Sequence, residues 1–135
     1  MEIVVAKSAG FCFGVKRATQ MAFEASAEHP HICSLGPIIH SPQVVKKLAE
    51  KGVAVVERVE AIPEGAVIIR SHGVTAEEMR AIQSRDLTVV DATCPFVKKA
   101  QEYAAQLAAE GYAVVIVGEA EHPEVQGIVS YADGG

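Results

Sequence analysis

The segment Leu87-Thr88-Val89-Val90-Asp91-Ala92-Thr93-Cys94-Pro95 joins two structural signals. Leu87 to Val90 is a β-prone apolar run that reads as a buried strand. A helical pattern begins directly afterwards, with Pro95 at a first-turn position where its missing N–H costs nothing. Cys94 therefore falls where a strand stops and a helix begins, beside N–H groups that open into a crevice. Such an environment lowers a thiol's pKa and favours the thiolate, the form that ligates metal.

The same junction recurs on both sides of this segment. Ala66 to Arg70 reads as a strand that ends at Ser71-His72-Gly73, and Thr75-Ala76-Glu77-Glu78 is a capping box opening a helix to about Ser84. Further back, His31 to Leu35 reads as a strand open to continuation into Ile38-Ile39. His40 follows, then Ser41 as N-cap and Pro42 at the first helical position. That helix puts Val44, Val45 and Leu48 on one face and stops at Gly52. Val53 to Val56 is a short strand, and Ile62-Pro63-Glu64-Gly65 a turn. At the N-terminus, Ile3 to Ala6 is expected as a first strand, followed by Gly10-Phe11-Cys12-Phe13-Gly14 and a helix from about Val15 to Ala27. Beyond Cys94 a helix to Glu110 is expected to turn Val97, Ala100, Ala104 and Leu107 inward. Tyr112 to Val117 is then a strand, and His122-Pro123 starts a last helix. Alternating strands and helices imply an α/β fold, a parallel sheet with flanking helices. Lys51-Gly52-Val53-Ala54-Val55-Val56 is echoed by Glu110-Gly111-Tyr112-Ala113-Val114-Val115, open to two readings: coincidence, or two copies of one α/β lobe. The tail Ala132-Asp133-Gly134-Gly135 offers no closing element, so the chain reads as cut rather than finished.

Composition narrows the class. A chain of 135 residues that is 50% hydrophobic, with no Trp and 5% aromatic, builds its core from Val, Ile, Leu and Ala. The net charge of −5 and the absence of long basic runs argue against a nucleic-acid partner. No apolar stretch reaches the roughly 18 residues of a membrane span. Met1-Glu2-Ile3-Val4-Val5-Ala6 does not resemble a signal peptide, so a cytoplasmic setting is the default. The three cysteines then read as reduced thiols or ligands rather than a disulfide framework.

Read in order, the strand ends and helix starts carry Cys12, His40, His72, Cys94, His122 and Glu124, while His29 and His31 precede a strand at the opposite edge. Ligands of open α/β sheets collect at this carboxyl edge. Each residue also has a plainer reading. Cys12 between Phe11 and Phe13, and Cys94, suit a buried apolar role; Cys33 suits it better still, mid-strand between Ile32 and Ser34. His40 and His122 suit capping or turn roles, and His72 a loop role. Glu124 suits the helix macrodipole, and Gly10, Gly14 and Gly73 suit turns. Taken jointly, soft thiolates suit zinc or an iron–sulfur cluster, and histidines at helix N-termini suit a phosphate or diphosphate. A carboxylate beside them can deliver protons.

The run Ala6-Lys7-Ser8-Ala9-Gly10-Phe11-Cys12-Phe13-Gly14-Val15 resembles the N-terminal signature of the 4-hydroxy-3-methylbut-2-enyl diphosphate reductase family of the non-mevalonate isoprenoid pathway. Ile38-Ile39-His40, Ser71-His72-Gly73-Val74, Asp91-Ala92-Thr93-Cys94-Pro95 and Gly118-Glu119-Ala120-Glu121-His122-Pro123-Glu124-Val125 also resemble its motifs, in order and spacing. The resemblance implies three α/β lobes around a 4Fe-4S cluster. Cys12 and Cys94 match two of its three thiolate ligands, His40, His72 and His122 match diphosphate-binding residues, and Glu124 matches the carboxylate that supplies protons. It implies reductive loss of the substrate hydroxyl to give isopentenyl and dimethylallyl diphosphate, with electrons from a ferredoxin or flavodoxin. Family members are more than twice this length, and Cys33 matches no family ligand. Residues 1–92 are thus expected to form the first lobe and 93–135 the start of the second, folded in the first lobe but inactive alone for want of a third cluster cysteine. Two other readings stand beside this one: a standalone phosphate-binding α/β module without metal, and a zinc protein using Cys12, Cys94 and a histidine.

Overall fold

The computed structural model describes residues 1–132; the expected unclosed tail at 133–135 lies outside the described residues. Four strands form one parallel sheet: β1 (Ile32–Leu35), β2 (Ala54–Val56), β3 (Gly65–Ile69) and β4 (Leu87–Asp91), in the order β2-β1-β3-β4. The helices are α1 (Phe13–Glu28), α2 (Pro42–Ala49), α3 (Ala76–Gln83), α4 (Pro95–Ala109) and α5 (Pro123–Ala132), with a short 3-10 turn at Val59–Ala61. The expected α/β architecture is therefore present.

The period of two along a strand sorts side chains into two cores. Ile32, Ala66 and Ile68 face the small residues Ala18, Ala22 and Ala25 of α1, together with Val44 and Leu48 of α2. Cys33, Leu35, Val67 and Ile69 face the other way, onto Val59, Ile62 and Ile82. The central strands β1 and β3 are thus covered on both faces, which is why they read as near-continuous apolar runs. Ile38 and Ile39 are buried too, but in the loop after β1 rather than as its continuation.

Helix boundaries follow local chemistry. Thr75 makes the complete capping box: its Oγ1 accepts from Glu78 N, and its own N–H donates to the Glu78 carboxylate at 2.8 Å. Ser41 is the N-cap of α2, with Pro42 following. After α2, Gly52 takes the left-handed φ of +87°, and Val53 N–H closes back on Leu48 O at 3.0 Å.

Three expectations are corrected. Ile3 to Ala6 forms no strand, and Ile3, Val4 and Val5 are 75–81% exposed. Tyr112 to Val117 forms no strand either, with Val115 84% and Val117 96% exposed. Both runs are apolar enough to be strands, but neither has a neighbouring strand among the described residues to pair its backbone N–H and C=O groups. Leu107 is exposed instead of inward; Gln101 takes its place on the buried stripe with Val97 and Ala104. Among the described residues no helix is long and apolar enough to cross a membrane.

Candidate functional site

Three imidazoles meet at one end of the sheet. His40 lies between β1 and α2, His72 follows β3, and His122 directly precedes α5. Ring centroids are 4.5 Å apart for His40 and His72, 5.7 Å for His72 and His122, and 6.2 Å for His40 and His122. One nitrogen from each ring lies within 4.8 Å of the others. Burial, reinforced by the charges of His40, Arg70 and His122, pushes the His72 pKa down from 6.5 to about 4. Its ring is therefore neutral at pH 7, and its buried Nδ1 has no hydrogen-bond partner among the described residues. A buried, unpartnered nitrogen is costly unless a ligand satisfies it.

The spacing alone would suit a metal as well as an anion: two imidazoles on tetrahedral zinc place their centroids about 5 Å apart, given Zn–N bonds of roughly 2.0–2.1 Å. A tautomer separates the two. Glu124 N–H donates to His122 Nδ1 at 3.3 Å, which leaves the proton of the neutral ring on Nε2. A ligating imidazole needs the reverse arrangement, its second nitrogen protonated and donating. His122 is thus set up to donate to an anion.

Three helix starts, those of α1, α2 and α4, share a second property. The N-caps of α1, α2 and α4 are Cys12, Ser41 and Cys94, and none makes a side-chain cap bond. Ser41 Oγ donates instead to Gln43 Oε1. First-turn N–H groups here lack a side-chain acceptor, in contrast with the fully capped α3, and such groups favour negative charge.

The two cysteines belong to the same edge. A side chain at Gly14 would have its Cβ 2.5 Å from Cys94 Sγ, so the Cys94 thiol occupies room that the glycine leaves in the first turn of α1, two residues after Cys12. Arg17 of α1 donates to Thr93 O at 3.1 Å, and Cys94 N–H donates to Ser71 O at 2.9 Å. The Cys94 turn is thereby tied to the helix that Cys12 caps and to the loop that carries His72. Asp91 braces it further, its carboxylate accepting from Thr93 N and from Lys98 Nζ at 2.6 Å. Cys12 is exposed and Cys94 half-buried, so the apolar-core reading fails for Cys12. Glu124 sits in the first turn of α5, two residues after His122.

Cys33 is 1% exposed in β1, and burial pushes its thiol pKa up, with Arg85 opposing. It has no route to the crevice. His29 caps the C-terminal end of α1 and His31 precedes β1, both at the opposite edge, as expected. Gly14, Arg17 and Gln101 were not legible as site residues. Only Gln101 left a signal, a polar residue on the apolar stripe of a helix.

The chain matches the family model described as LytB protein over residues 3–135. It is 69% identical, over its full length, to the 4-hydroxy-3-methylbut-2-enyl diphosphate reductase of Syntrophotalea carbinolica, covering 48% of that protein. It is 65% identical to the reductase of the same name from Geobacter sulfurreducens over 99% of the chain, again covering 48% of the relative. A solved structure of (E)-4-hydroxy-3-methyl-but-2-enyl diphosphate reductase superimposes with a TM-score of 0.83 at 48% identity, covering 98% of this chain and 47% of that one. The Plasmodium falciparum reductase superimposes with a TM-score of 0.87 at 30% identity, over 95% of this chain and 41% of that one. The chain thus spans about half the length of the curated relatives it matches, and by its sequence, fold and motif order it belongs to the LytB protein family.

Proposed function

We propose that this chain supplies part of a reductase that removes the hydroxyl of 4-hydroxy-3-methylbut-2-enyl diphosphate to give isopentenyl and dimethylallyl diphosphate. The observation that carries the proposal is the convergence of His40, His72 and His122, with His122 Nδ1 accepting from Glu124 N so that Nε2 of the neutral ring is the donor, and with His72 Nδ1 unpartnered among the described residues. These groups bind and orient the diphosphate. Cys12 and Cys94 hold a 4Fe-4S cluster as two of its thiolate ligands; the donor set fits, being soft, adjacent to helix N-termini and given room by Gly14. When bound, such a cluster supplies electrons, drawn from a ferredoxin or flavodoxin. Glu124 delivers protons from beside His122. Residues 1–92 form one lobe and 93–135 begin a second. Because Cys33 is sealed in the core, it does not serve as a third ligand, and the 135-residue chain by itself is inactive.

A standalone phosphate-binding module is not favoured, since the relatives carry reductase names along the whole chain. The test is titration of inorganic diphosphate into the chain by calorimetry. His40→Ala, His72→Ala and His122→Ala each remove a charge-assisted donor worth about 1.5–3 kcal/mol. Affinity falls roughly tenfold or more per site, at about 1.4 kcal/mol per decade. Unchanged affinity in all three variants rules out the assignment.

A further inference from the structure

The histidines are carried by separate elements, and one buried side chain outside the cluster touches two of those elements. Gln101, in the second turn of α4, is 5% exposed. Its Nε2 lies 3.5 Å from Val74 O, in the loop that begins with His72. A Cβ at Gly73 would lie 2.8 Å from that Nε2, and a Cβ at Gly127 3.0 Å from it. The carboxamide is therefore pressed between two bare backbones: Gly73, directly after His72 and at a left-handed φ of +73°, and Gly127, on the α5 helix that His122 precedes. Thr93, next to Cys94, closes the same contact, its Cγ2 being 3.1 Å from the Gly73 Cβ position. Ser130 adds a second tie, accepting from Ala76 N at 2.9 Å and donating to Gly127 O at 2.6 Å. A buried amide that fills the space between these backbones leaves them little freedom to slide, because interiors are close-packed.

We propose that Gln101 is a positioning residue for the anion site: its buried carboxamide, held between Gly73 and Gly127, fixes the separation of His72 from His122 and thereby the affinity for diphosphate. The affinity half rests on the diphosphate reading above; the positioning half does not. The Gln101 amide donates to Val74 O, and the residue acts through the backbone rather than as a catalytic residue.

The experiment compares the chain with Gln101→Met, which keeps volume and removes the donor, and with Gly127→Ala, which keeps the amide and inserts a methyl 3.0 Å from its nitrogen. Two readouts are taken on each: inorganic diphosphate affinity by calorimetry, and side-chain 15N NMR of the imidazoles across a pH titration. The expected result is a roughly tenfold loss of affinity in both variants. The His72 titration moves up toward the ordinary histidine value, and the His29 and His31 signals stay unchanged. A merely structural role would lower the melting temperature without moving those two ring signals selectively. Wild-type affinity with unmoved His72 and His122 signals in either folded variant overturns the proposal. If the wild-type chain binds no diphosphate, the anion reading fails, and the imidazole signals still decide the positioning claim: selective movement supports it, and none overturns it.

Discussion

Two stretches of this chain share a pattern and meet different fates. Lys51-Gly52-Val53-Ala54-Val55-Val56 and Glu110-Gly111-Tyr112-Ala113-Val114-Val115 both follow a helix. Their turns are the same: Gly52 and Gly111 adopt φ of +87° and +85°, and the next N–H closes on the carbonyl five residues back at 3.0 Å in both. Past that turn they diverge. Ala54–Val56 becomes β2 because β1 lies alongside, with Cys33 paired to Ala54 and Leu35 to Val56. The second stretch has no strand beside it among the described residues and stays irregular, with Tyr112, Val115 and Val117 exposed. A helix stop is closed by its own neighbours in sequence, whereas a strand is closed only by a second strand.

The largest effect that would test this contrast comes from emptying a packed strand of the sheet and then the second, unpaired stretch. Ile68 is fully buried in β3, and Ile68→Ala should cost about 2–5 kcal/mol in urea unfolding. Val115→Ala should stay within about 0.5 kcal/mol of wild type. A comparable loss at both positions would show that the second stretch is packed after all.

Acid should act next, and on the packed side. His72 is depressed from 6.5 to about 4, so below 6.5 the unfolded chain takes up a proton that the folded chain refuses. Stability contributed at neutral pH is therefore lost as pH falls through that window. His72→Gln should flatten this part of the curve in denaturation series at stepped pH; an unchanged slope would place the titration elsewhere.

Helix starts give a smaller contrast of the same kind, between a capped start and an open one. Thr75→Ala removes a complete capping box and should cost about 1 kcal/mol. Ser41→Ala removes an N-cap that makes no cap bond and should change stability by less than about 0.5 kcal/mol. Equal losses at the two positions would mean that the helix starts at the site are not open to a ligand.

Hydrogen exchange gives the finest comparison, since it alters nothing. Amides of β2 bonded to β1 should be protected, and those of residues 113–117 should exchange near the rate of an unstructured peptide. Protection across 113–117 would indicate pairing with a second copy of the chain.

Much of this was written locally. The capping box at Thr75, Pro42 behind Ser41 and the stop at Gly52 were legible because each is satisfied within a few residues. The candidate site is legible as a list of residues, but the structure supplies a different reason for it. The sequence pattern puts Cys12 and His122 at the edge as residues following strands, and neither of those strands forms. What they share with His40, His72 and Cys94 is proximity to a helix start.

The sequence by itself determined the α/β class, the helix boundaries, the burial of Cys33 and the sorting of His29 and His31 away from the other three histidines. All of these depend on side-chain periodicity or on contacts a few residues apart. Only the tertiary structure decided which apolar runs became strands, that the Cys94 thiol rests on Gly14, and that Gln101 is pinned between Gly73 and Gly127. Gly14 and Cys94 lie far apart in the chain, as do Gly73, Gln101 and Gly127. No local pattern records such a meeting, because the packing that brings these residues together depends on every element between them.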